Sequence, residues 1–340
     1  MKIAFDCRYL GKSGIGRVNA GMIDALDFSE NEFYLIGSAQ KLAKYEGKAH
    51  IVADETDPFS ARGLFSFDKK LNGICDALVV PNFIIPFGVK IPVYTVMHDL
   101  MFLDVKELIK SPADKFVKKT LIARAVRKSV KIFCVSEFTY NRCCHYYPKY
   151  GDKFGVCREG FKINIGKDFK PYEHKEKELV YVGNVKPHKG LKTLVEAYKM
   201  LPAGEYKLKI IGEKDNFRTG ANIEELSADG VIFTGRLSDE ALYDEVAKSE
   251  FLVQPSFYEG FGIPPLEALC LGTKPVVSDI EVFREVYDGF DVQFFKAGDA
   301  NDLARKILTT DPVPKTAREE IEKRYDYSVM TEKILREIKG

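Results

Sequence analysis

FLVQPSFYEGFGIPPLEALC, residues 251 to 270, runs from an apolar strand through a glycine turn into a proline-led helix. FLVQPS has the length and composition of a buried strand. The EGFG turn can leave it sharply, because glycine reaches conformations closed to other residues and lets a ligand approach the backbone. Pro264 and Pro265 suit the first turn of a helix, where a missing N–H has no intrahelical partner to lose. A strand that feeds directly into a helix is the unit of a parallel sheet, and the pattern continues in both directions. Before it come ELVYVG (178–183), KLKIIG (207–212) and VIFTG (231–235), and after it KPVVSD (274–279) and DVQFF (291–295). An earlier series holds KIAFD (2–6), EFYLIG (ending at 37), DALVVP (76–81), VYTVMHD (93–99) and KIFCVS (131–136).

IGKDFKPYEHKEKE, residues 165 to 178, separates the two series; it is polar, lacks apolar periodicity and reads as a connector. The expectation is an α/β protein of two doubly wound parallel-sheet domains, residues 1–165 and 166–340, facing across a cleft at the carboxyl ends of their strands. The last stretch, YDYSVMTEKILREIKG, reads as a helix. Residues 53–72 give no assignable element. A chain of 340 residues can bury two cores of this size.

Lysine and arginine number 51 against 50 acidic residues, so the net charge of +1 offers no whole-protein attraction for nucleic acid. MKIAFDCRYLG enters a strand pattern at once, without the basic and apolar regions of a signal peptide, which predicts a cytoplasmic protein. The seven cysteines form no C-x-x-C pair and lie mostly in apolar runs, so they read as buried reduced thiols.

The site residues cluster at the ends of the predicted strands. Glu259 on the EGFG turn and Glu267 in the following helical turn are acceptors suited to hydroxyl groups, whereas bare backbone N–H groups at a helix start suit phosphate. A ligand with a diphosphate in the middle and polyols at both ends, a nucleotide sugar, uses all of these at once. YVGNVKPHKGLKTLVEAY (181–198) is a strand-loop-helix with Lys186 and Lys189 at its mouth; it is neither a Walker-type loop nor a G-x-G-x-x-G turn. TGRLSDEAL (234–242) has Ser238 as a helix N-cap, with Gly235 and Arg236 at a strand end where a base could rest. In the first half, SGIGR (13–17) makes a glycine loop before a helix, and VYTVMHD delivers His98 and Asp99 to a strand end. VSEFTYNR (135–142) places Ser136 and Glu137 at a helix start.

EGFGIPPLEA with its two glutamates, the VGNVKPHKG loop and the TGRLSDEAL turn resemble the retaining GT-B glycosyltransferases of glycosyltransferase family 4. The HDL and SGIGR segments are similar to bacterial polysaccharide mannosyltransferases. The resemblance implies two Rossmann-like domains, with the last helix crossing back to the first. It also implies transfer of a hexose from a nucleotide-diphosphate sugar, GDP-mannose or a UDP-sugar, to a saccharide or lipid-linked saccharide. By the same resemblance Glu259 binds donor-sugar hydroxyls, Glu267 the ribose and Lys189 the diphosphate, while His98 sits beside the donor sugar. Gly14, Gly16, Asn184, Gly235, Arg236, Gly260, Phe261, Gly262 and Ile263 complete the donor-binding set. No metal or other cofactor is implied. The chain departs from the family at Asn184 and His188, where many members carry an arginine at one position or the other, and at Glu159-Gly160, where Asn-Gly is usual. Lys186 and His188 are candidates to share the diphosphate charge.

Residues 106–131 carry Lys106, Lys110, Lys115, Lys118, Lys119, Arg124, Arg127, Lys128 and Lys131 against Glu107 and Asp114. Val117, Leu121 and Ala125, with Ile122 and Val126, form an apolar stripe at helical spacing. A solvated face explains this run, and so does peripheral docking on an anionic membrane surface at the inner face of the cell membrane. Two other functions share the sequence features: a nucleotide-sugar epimerase of the same architecture, and a non-catalytic nucleotide-sugar-binding scaffold.

Overall fold

The computed structural model describes residues 1–11, 13–65, 71–109, 111–166, 169–212 and 226–340. Lys110 and parts of segments 53–72 and 165–178 lie outside the described residues. The chain divides into two compact units, one of Met1–Asp104, Ile109–Lys162 and Tyr325–Gly340, the other of Val105–Leu108 and Ile163–Arg324.

In the first unit seven strands form one sheet: β1 (Lys2–Asp6), β2 (Glu32–Gly37), β3 (His50–Ala53), β4 (Ala77–Val80), β5 (Val93–Met97), β6 (Lys131–Cys134) and β7 (Phe154–Val156). Their order is β3-β2-β1-β4-β5-β6-β7 and every pairing is parallel. β4 and β5 are buried along their whole length, as strands covered on both faces must be. The predicted strands of this half are all present, and β3 and β7 are additional. The C-terminal helix Tyr327–Lys339 packs in this unit: Thr331 Oγ1 donates to the Met22 carbonyl at 3.2 Å. The Tyr327 ring occupies the space that a Cβ on Gly21 or Gly160 would need, at 2.3 and 2.2 Å.

The second unit holds six strands: β8 (Glu176–Val182), β9 (Lys207–Ile211), β10 (Val231–Gly235), β11 (Ser249–Gln254), β12 (Lys274–Ser278) and β13 (Gln293–Phe295). The order β10-β9-β8-β11-β12-β13 is again all parallel. All six match predicted strands, although β8 starts at Glu176, inside the segment read as a connector. The order reverses between β8 and β11, which makes their carboxyl ends the switch point where ligands of such sheets bind. Burying side chains such as Leu179, Phe251 and Val276, each at most 1% exposed, contributes about 1.5–3 kcal/mol apiece and holds that end rigid.

Candidate active site

The loops that leave β8 and β11 meet at the switch point. After β8 the chain makes a single helical turn, Pro187–Lys189, and then the helix Leu191–Tyr198. Gly190 joins them at φ +68°, a left-handed conformation that glycine adopts without strain. A Cβ at Gly190 would lie 1.9 Å from the carbonyl oxygen of Pro255, so only glycine lets the two loops touch. Phe257 N–H donates to the His188 carbonyl at 2.8 Å and locks them together.

This contact brings Lys189 and Glu259 face to face. Lys189 Nζ donates to both carboxylate oxygens of Glu259, each at 2.7 Å. Ser256 Oγ donates to Glu259 Oε1 at 2.8 Å and Gln254 Nε2 at 3.4 Å. Burial pushes the Glu259 pKa up, but the Lys189 charge and these hydrogen bonds outweigh it and hold the carboxyl below its ordinary value. Glu259 is therefore ionised at neutral pH, and its side chain is only 12% exposed.

The turn after Glu259 is shaped from behind. Gly262 has φ +103°, and Tyr287 O–H donates to its carbonyl at 2.6 Å. A Cβ on Gly262 would meet that hydroxyl at 2.5 Å. Phe261 is buried and anchors the turn, while Gly260 and Ile263 are half-buried. The helix Pro264–Cys270 follows, with Glu267 buried in its first turn and accepting from Tyr243 O–H at 3.3 Å. Along β8's exit, Gly183 N–H pairs with Ile211 and the Asn184 carbonyl accepts from Tyr181 O–H at 3.1 Å. Gly235 ends β10 at φ +76° with open space above it, and Arg236 beside it is exposed. Ser238 caps the next helix, accepting from Ala241 N–H.

His188 departs from its expected part. It is 3% exposed, and neither ring nitrogen has a hydrogen-bond partner among the described residues. Burial first, and then the Lys189 charge, push its pKa down to about 4. The ring is neutral at pH 7 and supplies no cation to a diphosphate.

The first unit has a polar cluster of its own. His98 leaves β5 with Nδ1 3.2 Å from Glu159 Oε2 and Nε2 3.0 Å from the Pro81 carbonyl. Burial opposes a charge on the ring, but the Glu159 carboxylate outweighs it and raises the His98 pKa. A ring facing a carboxylate on one side and a carbonyl on the other donates from both nitrogens once it is protonated. Thr139 Oγ1, next to the Ser136 cap of helix Glu137–Tyr146, donates to the His98 carbonyl at 3.1 Å. Asp99 accepts from Met101 N–H and starts the next helical turn. The sequence reading missed Glu159 as a site residue; its unusual place before Gly160 was the available signal.

Gly16 lies within the helix Ser13–Asp24, where a Cβ would meet the Tyr9 carbonyl at 2.1 Å, so this glycine serves close packing. A Cβ on Gly14 would meet open space. Below them Arg8 makes a buried bidentate pair with Asp6, at 2.9 and 2.8 Å, and donates to the Gly63 carbonyl. In the basic segment the helix Pro112–Lys128 buries Ile122, Ala125 and Val126, but Val117 is exposed, against the predicted stripe, as is its neighbour Phe116. The seven thiols are free and six of them are buried. Among the described residues no helix is long and apolar enough to cross a membrane.

The family model described as glycosyl transferases group 1 matches residues 164–323. The O-antigen chain mannosyltransferase RfbU of Salmonella typhimurium is 29% identical over 180 residues, 51% of this chain and 50% of the relative. O-antigen chain mannosyltransferase B of Escherichia coli is 26% identical over 225 residues, 61% of this chain and 58% of the relative. The chain thus spans about half the length of these curated relatives. The crystal structure of Anabaena HepE in complex with UDP and glucose superposes with a TM-score of 0.70 at 16% identity, covering 100% of this chain and 99% of the other, a likeness of fold. Residues 164–323 thus match the glycosyl transferases group 1 model, in a chain whose two parallel-sheet, Rossmann-like units have the GT-B fold.

Proposed function

We propose that the protein is a retaining glycosyltransferase of family 4 that moves a hexose from a nucleotide-diphosphate sugar to a saccharide or lipid-linked saccharide in cell-surface polysaccharide synthesis. The observation that carries this reading is the pairing of Lys189 with Glu259 at the β8/β11 switch point. A cation and an ionised carboxylate there provide for a departing diphosphate and for sugar hydroxyls respectively. GDP-mannose is the first donor to test, because the relatives above are named mannosyltransferases, and UDP-sugars are the second.

In the proposed reaction the acceptor oxygen bonds to the anomeric carbon as the bond from that carbon to the phosphate oxygen breaks. The acceptor proton passes to the departing phosphate on the same face, which retains the configuration. Lys189 stabilises the charge that develops on the diphosphate, Glu259 orients the sugar and Glu267 the ribose. His98 shapes its surroundings rather than deprotonates, since both of its ring nitrogens are engaged inside the protein, on Glu159 and on the Pro81 carbonyl.

Thermal stabilisation by GDP, UDP, ADP and dTDP sugars tests the site. Ligand at about 100 times its dissociation constant adds about 2.7 kcal/mol. A shift with one nucleotide series that is lost in Lys189→Ala and Glu267→Ala supports the assignment, and no shift with any of them refutes it. An α-configured product from an α-linked donor, read by NMR, supports retention. We also propose peripheral docking through residues 106–131, where Phe116 and Val117 are 72% and 53% exposed beside Lys115 and Lys119. Sedimentation with anionic vesicles that survives Phe116→Ser unchanged refutes that docking.

A further inference from the structure

The donor-site reading gives Lys189 to the diphosphate and Glu259 to the sugar, yet the structure joins the two side chains to each other. Two of the three N–H donors of Lys189 are taken by one carboxylate, at 2.7 Å each. The carboxylate cannot swing away freely, because Ser256 and Gln254 hold Oε1 from behind and its side chain is only 12% exposed. Lys189 is fixed as well: it ends the Pro187–Lys189 turn, whose His188 carbonyl accepts from Phe257 and whose Gly190 lies against Pro255. Nor does the neighbouring His188 restore positive charge, being buried and neutral.

A phosphate arriving at Lys189 therefore meets a cation already balanced by an anion. This matters unequally for substrate and product. In a nucleotide sugar the outer phosphate is esterified and the hydroxyls of the sugar satisfy Glu259. A free nucleoside diphosphate carries an additional negative charge on its outer phosphate and brings no donor-sugar hydroxyls to Glu259, so it meets that carboxylate unscreened.

We infer that Glu259 acts as a built-in counter-charge that weakens retention of the nucleoside diphosphate product, so that the residue which binds the donor sugar also promotes product release. This rests on the donor-site reading of the Lys189–Glu259 pair. It sets Glu259 against the ordinary expectation for a binding residue, because removing its charge strengthens binding of one ligand of the site while weakening the other.

Calorimetric titration with inorganic pyrophosphate, and then with GDP, UDP, ADP and dTDP, tests this on the intact protein and on Glu259→Gln, Glu259→Asp, Lys189→Ala and Glu259→Gln/Lys189→Ala. Glu259→Gln is expected to bind pyrophosphate and the preferred nucleoside diphosphate about tenfold more tightly, an electrostatic gain that shrinks as salt is raised. Glu259→Asp keeps the charge and is expected to stay close to the parent. The double variant should show no gain, since the charge released has no lysine to act through. Unchanged or weaker product binding in a folded Glu259→Gln, checked by its melting curve, overturns the inference. An equal gain in Glu259→Asp does so too, because it makes shape the cause. Binding that is absent throughout, or indifferent to Lys189→Ala in the parent, overturns the donor-site reading and the inference with it.

Discussion

Lys189–Glu259 and His98–Glu159 are both cation–carboxylate pairs at the carboxyl end of a parallel sheet, and both are largely removed from water. They are completed differently. His98 has two N–H groups and spends both inside the protein, on Glu159 and on the Pro81 carbonyl. Lys189 has three and, among the described residues, spends two, both on Glu259. A saturated pair fixes the shape of its surroundings, whereas a pair with donor capacity in hand can hold a ligand as well. The comparison assigns a clamp to the first unit and a binding function to the second, and each assignment can be broken.

The largest effect is expected at the clamp. Glu159→Ala leaves a buried cation without its carboxylate and should cost about 3–5 kcal/mol in urea-induced unfolding, as breaking one side of a buried pair does. Because the folded pKa of His98 is raised, its contribution is fully present below the ordinary histidine value of 6.5 and is lost as pH rises through the folded pKa. Stability of the parent that does not fall over that rise, or a Glu159→Ala variant as stable as the parent, would remove the distinction between the two pairs.

Next comes the binding pair. Lys189→Ala should lower kcat/KM by about 10²–10³-fold, the range seen when a single donor to a developing negative charge is deleted. The informative contrast is with Glu159→Ala: the loss at Lys189 should appear mainly in rate, that at Glu159 mainly in unfolding. If the two variants fail in the same way, Lys189–Glu259 is a second clamp.

Much of this was legible beforehand, and the omissions have physical causes. The central strands announce themselves as continuous apolar runs because both faces are covered. β3 and β7 escape since they are four and three residues long, lie at the sheet edges and are only partly buried. β8 begins with exposed Glu176 and Lys177, so its first residues look like linker, while Glu178, next to Lys177, is buried against Ser249. Glu259 and Lys189 each stand in a readable turn, but nothing in a separation of 70 residues says that they touch. Glu159 was visible only as an unexpected residue before a glycine, and its role depends on His98, 61 positions away. His188 misled for the opposite reason: its basic neighbours suggest a cation, and only its burial makes it neutral. Val117 fits the helical period of the buried stripe but lies in the first half of a helix whose packed residues come later.

His188 also gives a pH prediction of intermediate size that sharpens the comparison from the acid side. An unfolded His188 takes up a proton below about 6.5, whereas the folded one resists until about 4, so the unfolded state binds more protons in between and stability falls as pH falls across that window. One such proton corresponds to a slope of at most about 1.4 kcal/mol per pH unit. His98 acts oppositely, losing its contribution as pH rises. His188→Phe should flatten the acid slope in equilibrium unfolding between pH 6.5 and 4, and an unaltered slope would show that the buried ring is not its source.

The smallest effect concerns how firmly Glu259 is held. Ser256 is fully buried and its hydroxyl donates to Glu259 Oε1 at 2.8 Å. Ser256→Ala deletes a hydrogen bond to a charged group, so a loss of about 1.5 kcal/mol is expected at pH 7. The deletion also removes one of the interactions that keep the Glu259 pKa low, so that pKa should move back up. A carboxylate with a depressed folded pKa stabilises the fold above its unfolded value of 4.5 and ceases to do so as pH falls through the folded value. In Ser256→Ala the loss should therefore begin at the same unfolded value but end at a higher pH than in the parent, over a narrower range, while the slope of the basic limb governed by His98 stays unchanged. Unfolding midpoints measured from pH 3 to 9 in the two proteins separate the limbs. A drop that is present from neutral to basic pH and fades as Glu259 protonates ties Ser256 to Glu259, and a uniform drop at every pH would reduce the hydroxyl to packing.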